Sequence, residues 1–251
     1  RLHSAVGQLF PELTRVFKDL FGLTAIAMLR NHAAAAVIRD LSEEDFITAA
    51  RADFEGQRMF VSKLRRAHAL AATSVGVQEG VQALQLMVQQ QLQTLALLKR
   101  QREETRETLA DTFLALPESR YLLSVHGLGV VSAASILAEI GDPSHYRNGR
   151  QWIKLAGTQP MPNISGRKTR SRTPISRKGR PRLRTTLFFA VMRLVQVDDA
   201  FSRRYQHLQK RKKNPLTKMQ ALGALINKLL RILWALVQNQ TLYSPAFESA
   251  G

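Results

Sequence analysis

The sequence predicts an all-α protein: a long coiled-coil arm followed by a compact helical domain containing a helix-hairpin-helix. Three observations carry that prediction. Apolar residues recur at three- and four-residue spacing along most of the chain, and no stretch alternates strictly as a half-buried strand would. From Phe46 to Leu116 there is no proline. After Pro117 the composition changes to apolar helical runs separated by glycines, which punctuate helices.

Residues 1–40 read as short helices broken around Pro11 and Asn31. Ser42-Glu43-Glu44-Asp45 reads as a helix start, with Ser42 able to cap and three acids at the positive end of the dipole. Val77, Val81, Leu84, Val88, Gln91, Leu95 and Leu98 then follow a 4-3-4-3-4-3 spacing. That is a coiled-coil seam in which polar Gln91 sets register. Val77 to Leu116 spans roughly 60 Å if straight, although Gly76 and Gly80 weaken the helix locally. The same periodicity also fits an antiparallel hairpin packed within one chain.

Residues 1–116 form the helical and coiled-coil region in this reading, and 117–251 the second domain. Two amphipathic helices are expected over Leu183–Lys210 and Thr217–Gln238, and a short hairpin fits around 158–176. Leu216 to Val237 is the most apolar stretch, but Lys218, Lys228 and Arg231 cross it. It reads as a core helix, and no membrane partner is expected.

A hydrophobic share of 45% is enough to bury a core. Cysteine is absent, which removes disulfides, thiolate metal sites and thiol nucleophiles and fits a reducing cytoplasm. The chain opens on Arg1 without a signal peptide, and reads as a piece of something longer. Its net charge of +18 is concentrated: residues 161–213 hold 16 Lys/Arg against 2 Asp/Glu, a net +14. A block of one sign seeks phosphates. The competing reading, a disordered basic tail, sits poorly with the apolar helical sequence that follows.

Two motifs place chemistry on this background. Leu122 to Gly141 reads as helix, tight turn, helix, with Gly127-Leu128-Gly129 at the turn. Backbone N–H groups opening the second helix can grip a phosphate there; the alternative is an ordinary turn with a glycine C-cap. Further on stand Ser165, Arg167, Lys168, Arg170 and Arg172, then Arg177, Lys178, Arg180, Arg182 and Arg184. Arginine forks bind phosphate oxygens in bidentate fashion. Ser165 beside Gly166 is either a loop residue bonding a phosphate or a nucleophile whose developing charge the arginines stabilise. The six histidines (3, 32, 68, 126, 145, 207) have no metal-ligand spacing. Adjacent Asp198 and Asp199 point apart on a helix, and capping suits them better than metal binding. No metal or other cofactor is expected in this chain.

With those residues in view, Leu122 to Tyr243 resembles the C-terminal domain of the IS-one-ten (IS-eleven-eleven group) insertion-sequence transposases. The marks are the His126–Gly129 turn, Gly141-Asp142-Pro143 leading to Tyr146, Ala156-Gly157 with Pro160, and Ser165-Gly166. Gly179 with Leu183-Arg184 and the closing helix around Lys228 complete them. The first half is similar to the family's coiled-coil region. Two departures stand out: Thr158-Gln159 replaces the usual Leu-x after Ala-Gly, and Arg177 stands where lysine is common.

The resemblance implies a prokaryotic, cytoplasmic DNA recombinase. In such proteins an N-terminal ribonuclease-H-like domain binds a divalent metal (Mg) through four acids, and this domain contributes a serine that becomes linked to DNA. It implies DNA and a structured guide RNA as partners, a homo-oligomer through the coil, and Ser165 as the nucleophile. The metal-binding acids have no counterpart in this sequence. Two other readings remain: a non-catalytic nucleic-acid-binding module with a coiled-coil arm, and an assembly scaffold whose basic segment neutralises RNA.

Overall fold

A computed structural model describes residues 2–52, 54–56, 58–161 and 174–244, and the backbone alone at 164–165 and 168–169. The described residues are all-α apart from one two-residue strand pair and an isolated bridge. They divide into two compact units, Arg1–Glu103 and Glu104–Gly251.

The first unit follows its breakers. Helix α1 (Leu2–Leu9) ends before a 3-10 turn opened by Pro11. Then come α2 (Leu23–Asn31), α3 (Ala35–Arg39) and α4 (Glu43–Ala52). The Ser42 hydroxyl accepts from the Asp45 N–H at 3.1 Å, the cap that the sequence predicts. Helix α5 (Val61–Ala71) packs on α3 and α4. Phe10, Phe46, Met28, Ile38 and Leu64 are fully buried between these helices.

The expected unbroken arm is interrupted twice: α4 stops at Ala52, and α6 (Val81–Leu114) begins only after Gly80. Gly80 has φ +69°, a left-handed conformation that ends helical propagation there. Val77, the first expected seam residue, lies outside any helix, and its N–H donates to the Gln8 carbonyl at 2.9 Å. Gly76 is pressed against α1, where a Cβ would stand 2.8 Å from the Leu9 carbonyl carbon. Val88 and Leu92 are buried in the unit's own core, with Val81 and Leu84 packed beside them. The early seam is therefore used within one chain, and Leu92 turns inward where Gln91 was expected. Gln89 on the same helix donates to the Arg30 carbonyl at 2.9 Å, satisfying the end of α2.

Glu12 ties the segment before α6 to this core. It accepts from the Ser74 hydroxyl at 2.6 Å and from the Val75 N–H at 3.2 Å. Burial alone would raise its pKa, but these hydrogen bonds and Arg15 outweigh it and hold the carboxyl below 4.5. A folded-state pKa below the unfolded one means stability that is present above pH 4.5 and lost as pH falls through the lower value. In acid titrations followed by circular dichroism, Glu12→Gln is expected to flatten the wild-type loss of stability below that pH.

The second unit is built around α12 (Lys218–Asn239), eight of whose residues are buried. It packs against α7 (Ser119–Leu123), α9 (Gly149–Ala156), α10 (Pro181–Val197) and α11 (Asp199–Lys210). Helix α8 (Val130–Ile140) lies on α10. By length and composition α12 could cross a membrane, yet it is the central core helix of this unit. Thr217 and Gln220 form a capping box at its start. The single helix expected over Leu183–Lys210 is two helices. Buried Asp198 ends α10 and caps α11, accepting from the Ala200 and Phe201 N–H groups at 2.9 and 3.0 Å.

Candidate nucleic-acid interface

The turn between α7 and α8 carries the two glycines singled out by the sequence. Gly127 has φ +93°, a conformation natural to glycine. Leu128 is buried, which pins the turn to the core. Gly129 is the extended N-cap of α8 and offers no side-chain cap, and open space surrounds the place where its Cβ would stand. The first amides of α8 lack intrahelical partners and a side-chain cap, the setting in which a helix start can take an anion.

The loop from α9 to α10 is a hairpin with a tightly built root. Gly157 ends α9 at φ +67°. Its carbonyl accepts from the Arg177 N–H at 2.9 Å, while the Leu155 carbonyl accepts from the Arg180 N–H at 2.8 Å. The strands continue through Ser176 N–H to Gln159, Met161 N–H to Pro174, and the Pro160–Ile175 bridge. Farther out, β1 (Ile164–Ser165) pairs antiparallel with β2 (Lys168–Thr169), with Ser165 opposite Lys168. Ser165 is therefore the last described residue of β1.

Two contacts lock this root that the charge pattern could not indicate. Gly179 is packed so closely against α9 that a Cβ would stand 2.5 Å from the Gly157 nitrogen and nearer still to the Leu155 carbonyl oxygen. Buried Thr158 donates its hydroxyl to Asn227 Oδ1 at 2.6 Å, and Asn227 Nδ2 donates back to the Thr158 carbonyl at 3.2 Å. Asn227 sits in the middle of an apolar helix, so this pair satisfies both polar groups and fixes the first strand on α12. Thr158, the departure from the usual leucine, thus has a partner. A lone asparagine in the apolar run from Leu222 to Leu233 was the available signal.

The basic residues separate into two groups. Arg177, Lys178 and Arg182 are exposed, and no ion pair among the described residues neutralises them. Arg177 holds φ +53°, a costly conformation for a residue with a side chain. Arg184 serves the fold instead: its Nη1 donates to the Ala156 carbonyl at 3.0 Å and completes the end of α9. Arg180 donates to the Glu139 carbonyl and pairs with its carboxylate at 3.8 Å. Lys168 is described by its backbone alone, as is Ser165. Arg167, Arg170 and Arg172 lie outside the described residues.

The Gly141-Asp142-Pro143 to Tyr146 segment is held structurally. Asp142 accepts from the Ser144 N–H at 2.8 Å, and the Tyr146 hydroxyl donates to the Ile140 carbonyl at 2.7 Å. Trp234 and Gln238 of α12 donate to the Tyr146 and Pro143 carbonyls. Among the described residues, no group of three His, Asp or Glu side chains could hold a metal ion. Those described residues offer no seat for the divalent ion that the resemblance implies.

Residues 119–206, from α7 through most of α11, match the transposase domain of the IS116/IS110/IS902 family. That match covers 88 of the chain's 251 residues. The chain is 36% identical over 128 residues to a probable family 20 transposase of Pseudomonas aeruginosa, covering 49% of the chain and 36% of the relative. It is 28% identical to the uncharacterized 44.8 kDa protein of insertion element IS116 from Streptomyces clavuligerus, over 98% of the chain and 60% of that relative. Against the uncharacterized 43.6 kDa protein of insertion element IS110 from Streptomyces coelicolor, identity is 23% over 97% of the chain and 59% of the relative. The chain thus spans between 36% and 60% of the length of these three relatives.

Proposed function

We propose that this chain is the coil and serine-bearing part of a DNA transposase, in which Ser165 attacks a phosphodiester and becomes linked to DNA. The observation that carries the reading is the hairpin. Ser165 is paired with Lys168 in its outer part, within a segment of net charge +14. The root below it is held by Gly179, Thr158 and Asn227. A rigid root with a cationic tip suits a group that must reach a polyanion and hold one phosphate in position.

In the proposed step the Ser165 oxygen forms a bond to phosphorus and the bond to one sugar oxygen breaks. The serine proton ends on the released sugar hydroxyl. No net charge is gained at the phosphate, so a second strand's hydroxyl can reverse the step and complete exchange. Arg177, Lys178 and Arg182, with Arg167, Lys168, Arg170 and Arg172, neutralise the charge built up at phosphorus. The Gly127–Gly129 turn grips backbone phosphate nearby in sequence to none of them. A structured RNA and assembly into an oligomer belong to the same reading. Leu97 and Leu98 on α6 are 53% and 56% exposed and offer a second copy an apolar face. The metal would be held elsewhere in the assembled recombinase, which would act in the cytoplasm.

Binding is tested through salt. The logarithm of the binding constant for duplex DNA should fall with log salt by roughly 0.9 per phosphate contact. Alanine at Arg177, Lys178 and Arg182 together is expected to lower that slope by about two to three. Arg184→Ala should cost stability and leave the slope in place. An unchanged slope in the triple variant puts the phosphate contacts elsewhere. Trapping a covalent protein–DNA adduct separates the catalytic reading from that of a simple binding module.

A further inference from the structure

Helix α10 leaves two large apolar side chains exposed, Phe189 and, about 60° around the helix and less fully, Met192. Phe189 is 62% exposed, while its neighbour Phe188 turns inward onto the core. The two rings meet edge to face, with centroids 5.6 Å apart and planes at 74°. Phe188 is anchored by packing, so it braces the outer ring against its edge and leaves a face open.

Helical geometry sets what surrounds that ring. At 3.6 residues per turn, Arg182 and Gln196 point within about 20° of Phe189, and Thr185 and Arg193 within about 40°. All four are exposed. Arg193 lies about 6 Å along the axis on one side and Arg182 about 10 Å on the other. The helix contains three arginines and no acid. Its first turn adjoins Arg180, at the root of the basic hairpin.

We infer that Phe189 is a stacking platform for an unpaired nucleobase, with Arg182 and Arg193 holding the flanking phosphates. Stacking on an exposed aromatic ring tolerates any base, because every base offers a π face. Paired and stacked duplex hides those faces, so the site takes a base that has left the helix, as strand exchange requires. The charge around the ring argues for this occupant over a second copy. An identical chain of net +18 would bring like charge onto a cationic face. The inference rests on the nucleic-acid-binding reading above, and adds to it a site and a class of ligand that the basic segment alone does not supply.

The test compares wild type, Phe189→Ala and Phe189→Trp in the full chain. The probe is single-stranded DNA or RNA of one sequence carrying 2-aminopurine, with the matching duplex as a control. Phe189→Ala should weaken single-strand binding roughly five- to hundredfold. It should relieve the quenching of 2-aminopurine seen with wild type, and leave duplex affinity and the salt slope unchanged. Phe189→Trp should bind and quench as well as wild type or better. The larger loss, with DNA or with RNA, identifies which strand supplies the base. Equal single-strand binding by wild type and Phe189→Ala overturns the inference and leaves the phosphate reading intact. A fall in particle mass for Phe189→Ala also overturns it, in favour of a second copy at this face. If wild type binds no nucleic acid at all, the underlying reading falls with it.

Discussion

On the proposed reading, Ser165→Ala in the full-length protein is expected to abolish strand exchange, by more than about a thousandfold, while DNA binding and assembly persist. A covalent nucleophile contributes a bond in the reaction path that no neighbouring cation can replace, whereas the hydroxyl adds little to phosphate affinity. Ser165→Cys keeps a nucleophile at the same place and should retain a trace of exchange. The control is Ser176, whose N–H is tied to Gln159 in the hairpin root and whose alanine variant should exchange strands normally. The assay is recombination of a donor and a target plasmid, with adduct mapping by peptide mass. Exchange by Ser165→Ala, or an adduct mapped to another serine, would sink the assignment.

The second large effect is expected at Gly179, and it is an effect on folding. A single methyl there meets Gly157 nitrogen at 2.5 Å, Ala156 carbonyl carbon at 2.9 Å and the Leu155 oxygen closer still. All three are backbone atoms, so nothing flexible can step aside. Gly179→Ala should cost about 3 kcal/mol or more, the upper end for overpacking. It should also open the hydrogen bonds that Arg177 and Arg180 donate across the root. Urea unfolding gives the first quantity and loss of affinity for DNA the second. Gly129→Ala is the contrast: its Cβ enters open space at φ −75° and stability should hardly change.

Much of the architecture was legible in the residues themselves. Pro11, Asn31, Ser42 and Pro117 sit at or beside helix boundaries, because breaking and capping are local properties of these side chains. The break at 72–80 was less visible, since it depends on where Gly76 meets Leu9 across the fold. The interruption at Asp198 was legible in part, as an acidic pair suited to capping; that it divides one apolar run into two helices follows from burial. The candidate site was read from charge, and charge does not say which way an arginine points. Arg184 and Arg177 look alike in the sequence, yet one closes the end of α9 and the other stands in solvent. Asn227, opposite Thr158 and 69 residues away from it, has meaning only once the helices are assembled.

The closed root of the hairpin also sets what a change in the length of its tip costs. Both ends of the 157–180 excursion are already joined by backbone hydrogen bonds between Gly157 and Arg177 and between Leu155 and Arg180. The entropy of bringing the ends together is spent there, and lengthening the tip adds only about 0.6 kcal/mol for each doubling of the loop. Sequence at the tip can therefore be inserted, exchanged or recoded at small thermodynamic cost, while one extra methyl at the root cannot be accommodated. A change of length at the tip is thus felt by whatever the tip touches, and a change of volume at the root by the fold itself.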